Sequence, residues 1–195
     1  MLSDTDILVH MVKGGIFFKI VPYILDLIYI TPKVEDELKA SHSHIYYQLL
    51  NEINKGQFLR RTKDTWNDLS IEQKKTVNQT KSRMRPKLDP GELDCYAYSV
   101  GMEIDAIISN DKQAKEIISV DSEGEKVVIT FWDLLILAIK NDLISWEVGE
   151  DYYNQVVDRC GLTLPPFGRH IERFDDYCGK HKWVKDYLSN NVPNK

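Results

Sequence analysis

The sequence predicts an α/β fold, with a central, mainly parallel sheet, helices on both faces and a helical C-terminal extension. Three observations predict it. Short apolar runs of strand type, Tyr29–Ile30, Ala106–Ile108 and Lys126–Ile129, alternate with stretches of helical periodicity. Helix-start residues follow them directly: Thr31-Pro32, Asp111 and Thr130. Acidic residues stand at the strand ends and in adjacent helix turns, where open parallel sheets place their ligands.

In chain order, Met1–Ser3 reads as a very short strand leading into Asp4-Thr5-Asp6. Ile7–Lys13 reads as a helix stopped by Gly14-Gly15, and Ile16–Leu27 as an apolar helix bent or started near Pro22. After Tyr29-Ile30, Thr31 caps a helix with Pro32 at its first position, burying Val34 and Leu38 and leaving Glu37 near the sheet's edge. Ser70 with Gln73 makes a capping box for a helix from Ile71 to about Met84. Asp89, Pro90 and Glu92 form an acidic capping-box pattern, with Leu93, Ala97 and Val100 on the buried face. The strand Ala106–Ile108 is followed by Ser109, Asn110 and Asp111, and the next helix begins near Lys112. Beyond the turn at Asp121–Glu125, Thr130 and Asp133 box the start of an apolar helix. Ser145 caps another helix that Gly161 stops, and 169–188 reads as one or two amphipathic helices. Their apolar face suits packing within the chain; a homodimer is the alternative.

Composition narrows the function. A net charge of −5 over 195 residues argues against nonspecific nucleic-acid binding by the whole surface. The cysteines, Cys95, Cys160 and Cys178, are odd in number and scattered, which favours a reducing cytoplasm over a disulfide framework. Asp4 and Asp6 fall where a signal peptide needs an apolar core, and no stretch reads as a membrane span. Residues 55–88 depart from the acidic background. Ten basic residues, among them Arg60, Arg61, Lys81, Arg83, Arg85 and Lys87, face only Asp64, Asp68 and Glu72. Phe58 and Trp66 lie among them, so the segment reads as a substrate-binding insertion: cations for phosphates, aromatics for unpaired bases. An ordinary solvated helix and loop, or a face for an acidic partner, fits the same residues.

The stretch GELDCYAYSV…DAIISND resembles the most recognisable segment of PIN-domain nucleases. SDTDIL resembles that family's opening motif, with Asp6 where Asn is usual, and YITPKVEDEL resembles its second. FWDLLILAIKNDLIS resembles a later helix and turn, with Asp142 in place of Gly. The similarity covers about residues 1–40 and 88–150. It implies a PIN-like three-layer nuclease domain over 1–150, carrying the basic insertion, with a helical extension over 151–195 packed on it. It also implies metal-dependent hydrolysis of RNA, single-stranded or structured, by Asp4, Glu37, Glu92 and Asp111 holding Mg²⁺ or Mn²⁺. Asp6, Asp94, Ser109 and Asn110 would support those ligands. Many small members are toxins of toxin–antitoxin pairs, which implies an antitoxin partner over the acidic cleft.

The chemistry fits four carboxylates. Clustered without a cation they would repel one another and some would protonate at neutral pH. Hard divalent ions prefer oxygen ligands, and two of them can activate water and stabilise a leaving oxygen. Each acid also has an ordinary use: Glu92 in a capping box, Asp111 as a helix cap, Glu37 on a solvated face, Asp4 in a loop.

Rival readings remain. Asp4-x-Asp6 resembles haloacid dehalogenase phosphatases, but Leu8 stands where that pattern wants Thr, and Glu37 and Glu92 would have no role. A PIN-like module that binds nucleic acid or protein with little turnover is the non-enzymatic alternative. His42-Ser43-His44 and the Cys178–His181 pair lack the further ligands a zinc site needs.

Overall fold

The computed structural model describes residues 1–190. The chain divides into two compact units, Met1–Val9 with Leu25–Val128, and His10–Ile24 with the chain from Ile129 onward. The C-terminal helices are thus grouped with 10–24 and with the helix after residue 130.

A five-stranded, all-parallel sheet, flanked by helices, is the frame. Its strands are β1 (Leu2–Ser3), β2 (Ile28–Ile30), β3 (Leu59–Arg61), β4 (Ala106–Ile108) and β5 (Val127–Ile129), in the order β3-β2-β1-β4-β5. Leu2 pairs with Tyr29 on one side and Ile107 on the other, and Ser3 pairs with Ile108. Every residue of β1, β4 and β5 is buried, as expected for parallel strands. Four strands fall where the apolar runs predict. β3 does not, because Leu-Arg-Arg carries no apolar run. It is an edge strand in register Ile28↔Leu59, with Arg60 exposed, and charge on an edge discourages further pairing.

In the first unit, α1 (Thr5–Gly14) begins directly after Asp4 and continues past Val9, where the unit's first segment ends. α2 (Phe17–Ile24) belongs to the second unit, with Pro22 inside it. α3 (Pro32–Ser41) starts at Thr31, whose side chain accepts from the Val34 N–H. α4 (Ser43–Lys55) follows after the single residue His42 and ends on Gly56 at φ 67°. A short α5 (Thr62–Thr65) and a 3₁₀ turn at Trp66–Asp68 lead to α6 (Ile71–Met84). Both halves of the Ser70–Gln73 capping box form there, at 3.1 and 2.9 Å. α7 (Pro90–Gly101) starts at Asp89, but the Asp89 side chain makes no capping bond, so the expected acidic capping box does not form. That frees Asp89 to face outward beside Glu92. α8 (Lys112–Asp121) is capped by Asp111.

The basic segment is part of this packing. It supplies β3, and α6 buries Val77, Thr80 and Met84. α6 lies very close to α7 because Gly101 has no Cβ: one placed there would collide with the Val77 side chain and stand 2.9 Å from the Gln73 carbonyl oxygen.

In the second unit, α9 (Phe131–Lys140), α10 (Trp146–Cys160), α11 (Phe167–Phe174) and α12 (Lys182–Asn190) are the further helices. Thr130 and Asp133 form the predicted capping box, and Gly161 ends α10 at φ 61°. Tyr153 stacks on Phe131 at 5.7 Å and on Phe167 at 5.1 Å, and its hydroxyl donates to the Pro165 carbonyl at 2.6 Å. Cys178 is buried against Asp133, with its sulfur 3.5 Å from Oδ2. No helix among the described residues is long and apolar enough to cross a membrane.

The α6–α7 contact gives a direct test. Gly101→Ala forces a side chain against backbone and should lower stability by about 1–3 kcal/mol, read as a lower denaturant midpoint. An unchanged midpoint would mean that α6 shifts without cost.

Candidate active site

The sheet order places the site. β2 and β3 lie on one side of β1, and β4 and β5 on the other, so the direction of winding reverses between β1 and β4. Crevices at such reversals, outside the carboxyl ends of the strands, are where open α/β sheets bind ligands. Asp4 is the first residue after β1, and its N–H bonds the Ile108 carbonyl at 3.0 Å. Ser109, Asn110 and Asp111 follow β4. α3, which carries Glu37, leaves the end of β2, and α7 carries Glu92 in its first turn.

These placements converge. Asp4, Asp6, Glu37 and Glu92 line one pocket of about 500 Å³, together with Thr5, Ser41, His42, Asp89, Pro90 and Gly91. Asp111 lines a smaller hollow of about 60 Å³ with Lys87, Gln113, Asp89 and Glu92. Asp89 and Glu92 border both, so Asp111 is next to the other three acids through Glu92.

Gly91 explains how close the acids come. A Cβ there would lie 2.9 Å from Asp4 Oδ1 and 3.2 Å from Glu37 Oε2. Two carboxylate oxygens from different elements thus face one glycine. Glu37 is held by the Thr5 hydroxyl, which donates to Oε2 at 2.6 Å, and by Lys33, 3.6 Å from Oε1.

The electrostatics follow from burial and like charge. Asp4 is 6% exposed. Burial, then the Glu92 charge, with smaller pushes from Asp6 and Glu37, raises its pKa to about 7 against the pull of the Thr5 N–H. Glu92 is raised as well, by burial and then by Asp111, Asp89 and Glu37. An added cation would relieve this repulsion. The donors are all hard oxygens, the set that Mg²⁺ or Mn²⁺ takes. Among the described residues no group of three or more His, Cys, Asp or Glu side chains is set to hold a metal ion. Magnesium sites commonly use only one or two carboxylates with water completing the shell. The Asp4–Glu37 pair at Gly91 fits that pattern.

The other expected residues separate. Asp111 caps α8, accepting from the Ala114 N–H at 2.5 Å, while its own N–H donates to Ser109 Oγ at 3.1 Å. Ser109 is buried and Asn110 half-buried, and neither lines the pockets. Asp94 faces α3 and α6: Oδ2 accepts from the Lys33 N–H at 3.3 Å and Oδ1 pairs with Lys81 at 2.7 Å. It braces Lys33, the partner of Glu37, and lies outside the pocket itself.

The basic residues are largely engaged within the chain. Arg61 pairs with Asp64 at 2.7 Å and approaches Glu35 at 3.7 Å. Glu35 is 2% exposed and also takes Lys63 at 2.6 Å, Lys39 at 2.9 Å and the Tyr46 hydroxyl at 2.9 Å. The hydrogen bonds from Lys63, Lys39 and Tyr46 outweigh burial and hold its pKa near 2. Arg83 pairs with Asp121, and Arg60 reaches the Gly56 carbonyl at 3.5 Å. Arg85 is exposed. Lys87 lies beside Glu92 and Asp111. The six cations therefore do not act as one uniform face.

The motifs did not single out Thr5, Lys33, Ser41, Asp89 or His42 as site residues. His42 follows the last residue of the helix that carries Glu37, five positions on, a spacing that helical periodicity does not mark as a shared face. No protein-family model, curated protein or solved structure matches the chain. The PIN-like reading therefore rests on the motifs and on the fold they occupy.

Asp4 gives a pH test of the site. Its folded pKa, about 7, lies above the ordinary value of 3.8. The folded state therefore holds the extra proton between those values. The stabilisation is full below about pH 4 and is lost as pH rises through 7, on the order of 4 kcal/mol in chelated buffer. Asp4→Asn should match wild type near pH 4 and be more stable at pH 8, by thermal melting. An equal difference at both pH values would refute the raised pKa.

Proposed function

We propose that the protein is a metal-dependent endoribonuclease of the PIN-like class. The observation that carries this reading is the meeting of Asp4, Glu37 and Glu92 in one pocket at the sheet's switch point, with Asp111 adjoining. Chain order, local structure and the motif resemblance support the same four residues. Asp4, Glu37, Glu92 and Asp111 would hold Mg²⁺ or Mn²⁺. When bound, such ions supply Lewis-acid stabilisation of a phosphoryl oxygen and lower the pKa of bound water.

The chain's own residues have separate parts. Thr5 orients Glu37 through Oε2, and Lys33 steadies Oε1. Gly91 keeps backbone close to both carboxylates without filling the space between them. Glu92 lies between the two hollows and couples Asp4 to Asp111 electrostatically. Lys87 stands where it offers positive charge to a phosphate at the Asp111 end. The cytoplasm is the proposed location. An antitoxin is the proposed regulator, placing a basic residue among the acids.

A second reading, a binding module with little turnover, is favoured by the absence among the described residues of three ligand side chains already set around one point. One experiment separates the two: cleavage of a labelled mixed single-stranded RNA with Mn²⁺, with Mg²⁺ and with chelator, for wild type, Asp4→Asn and Asp111→Asn. The nuclease reading expects metal-dependent cutting that falls to background in both variants. Metal binding without cutting would favour the binding module. Chelator-resistant cutting would refute the metal mechanism.

A further inference from the structure

The acidic pocket has few groups that can greet a phosphate. Ionised carboxylates only accept hydrogen bonds, and so do phosphate oxygens. Of the polar side chains lining the larger pocket, Thr5, Ser41 and His42 carry donors, whereas Asp4, Asp6, Glu37, Asp89 and Glu92 are acids. The Thr5 hydroxyl is committed to Glu37 at 2.6 Å. That leaves His42 and Ser41, neighbours in the chain that both line the pocket.

His42 is also built into a firm position. It is the single residue between α3 and α4, with φ −137° and ψ 44°. Its N–H bonds the Leu38 carbonyl, and its own carbonyl accepts from the Ile45 and Tyr46 N–H groups, each at 2.9 Å. The backbone groups are thus occupied, while the side chain makes no capping bond at the start of α4. The two helices are tied across the elbow by Tyr46, whose hydroxyl donates to buried Glu35 at 2.9 Å. The ring is half-buried, lines the pocket and is left available to it.

We propose that His42 contacts the substrate, donating a hydrogen bond to a non-bridging oxygen of the phosphate next to the one cleaved. This rests on the phosphodiesterase reading above. A neutral imidazole still carries one N–H, so the contact does not require a charged ring. The adjoining hollow, which shares Asp89 and Glu92 with the pocket but not His42, holds Lys87. A nucleic-acid strand would therefore pass from His42, over the carboxylates, to Lys87, with a phosphate bound on each flank of the cleaved bond.

The test compares wild type, His42→Ala and His42→Gln on a dinucleotide with one phosphodiester and on a hexanucleotide. Steady-state cleavage is measured in Mn²⁺, and binding by fluorescence anisotropy with Ca²⁺ in its place. For the hexanucleotide, His42→Ala should raise KM and Kd about tenfold or more and change kcat less than about twofold, as for a lost hydrogen bond to a charged group. The dinucleotide should be unaffected. His42→Gln keeps an N–H donor and should recover most of the affinity. Melting curves check folding, and His42→Leu, which fills the space without a donor, carries the comparison if Ala does not fold. Unchanged KM and Kd in an active enzyme would overturn the assignment while leaving the nuclease reading intact. An equal kcat loss on both substrates would place His42 at the cleaved phosphate and also overturn it. A wild type that neither binds nor cuts RNA would remove both readings.

Discussion

A strand of two residues stands in the middle of the sheet. β1 is only Leu2 and Ser3, yet it pairs with β2 on one side and β4 on the other. Its side chains are fully buried, and the chain leaves the sheet at Asp4. The position of that carboxylate is therefore set by sheet pairing and not by a flexible loop. The Asp4 N–H extends the same ladder onto Ile108, so the ends of β1 and β4 are fixed together. A slip of one residue would turn Leu2 and Ser3 to opposite faces and carry Asp4 away from Glu37 and Gly91. The burial and charge crowding at Asp4 follow from this one constraint. A lone carboxyl in a loop would relax into water, and this one is held where its ionised form is costly.

Charge is handled differently a few residues along the same helix. Glu35 and Glu37 both lie on α3. Glu35 faces three cations and a tyrosine hydroxyl, and its ionised form is strongly favoured. Glu37 faces a hydroxyl, one lysine and other acids. Two residues of helix rotation separate a saturated structural carboxylate from one that shares a pocket with its own kind. The saturated one matters to the second, because it binds α3 to α4 and to the segment after β3. Much of the positive charge between residues 55 and 88 is thus matched within the fold.

Much of the fold was legible in the sequence where physics acts locally. β4 and β5 are continuous apolar runs, and the Ser70–Gln73 and Thr130–Asp133 boxes form as their spacing indicates. β3 was not legible, because an edge strand of Leu-Arg-Arg draws its stability from pairing with β2. α4 was missed for the opposite reason: no side-chain cap announces it, and it begins on the residue that ends α3. Asp89 looked like a cap and is not one, since a helix start beside acids gains from leaving that carboxylate in water. At the pockets, the four acids that gather or adjoin there are the ones that order and motif single out. His42, Ser41 and Thr5 are not among them, because tertiary contacts such as the Thr5–Glu37 hydrogen bond bring them to the pocket, and no local pattern encodes those.

The pairing of Leu2 with Ile107 joins residues more than a hundred positions apart. Such contacts are slow to form, since the intervening chain must first be brought into a loop. During synthesis β1 emerges long before β4, one of its two partner strands, exists. Until then the Asp4 N–H lacks the Ile108 carbonyl, and Asp111 follows later still. A fragment ending before β4 already carries every residue that lines the larger pocket, but not the strand that fixes Asp4 from its other side. The four acids stand together only after β4 has joined β1, so the last of these segments to be made is the one that fixes the first.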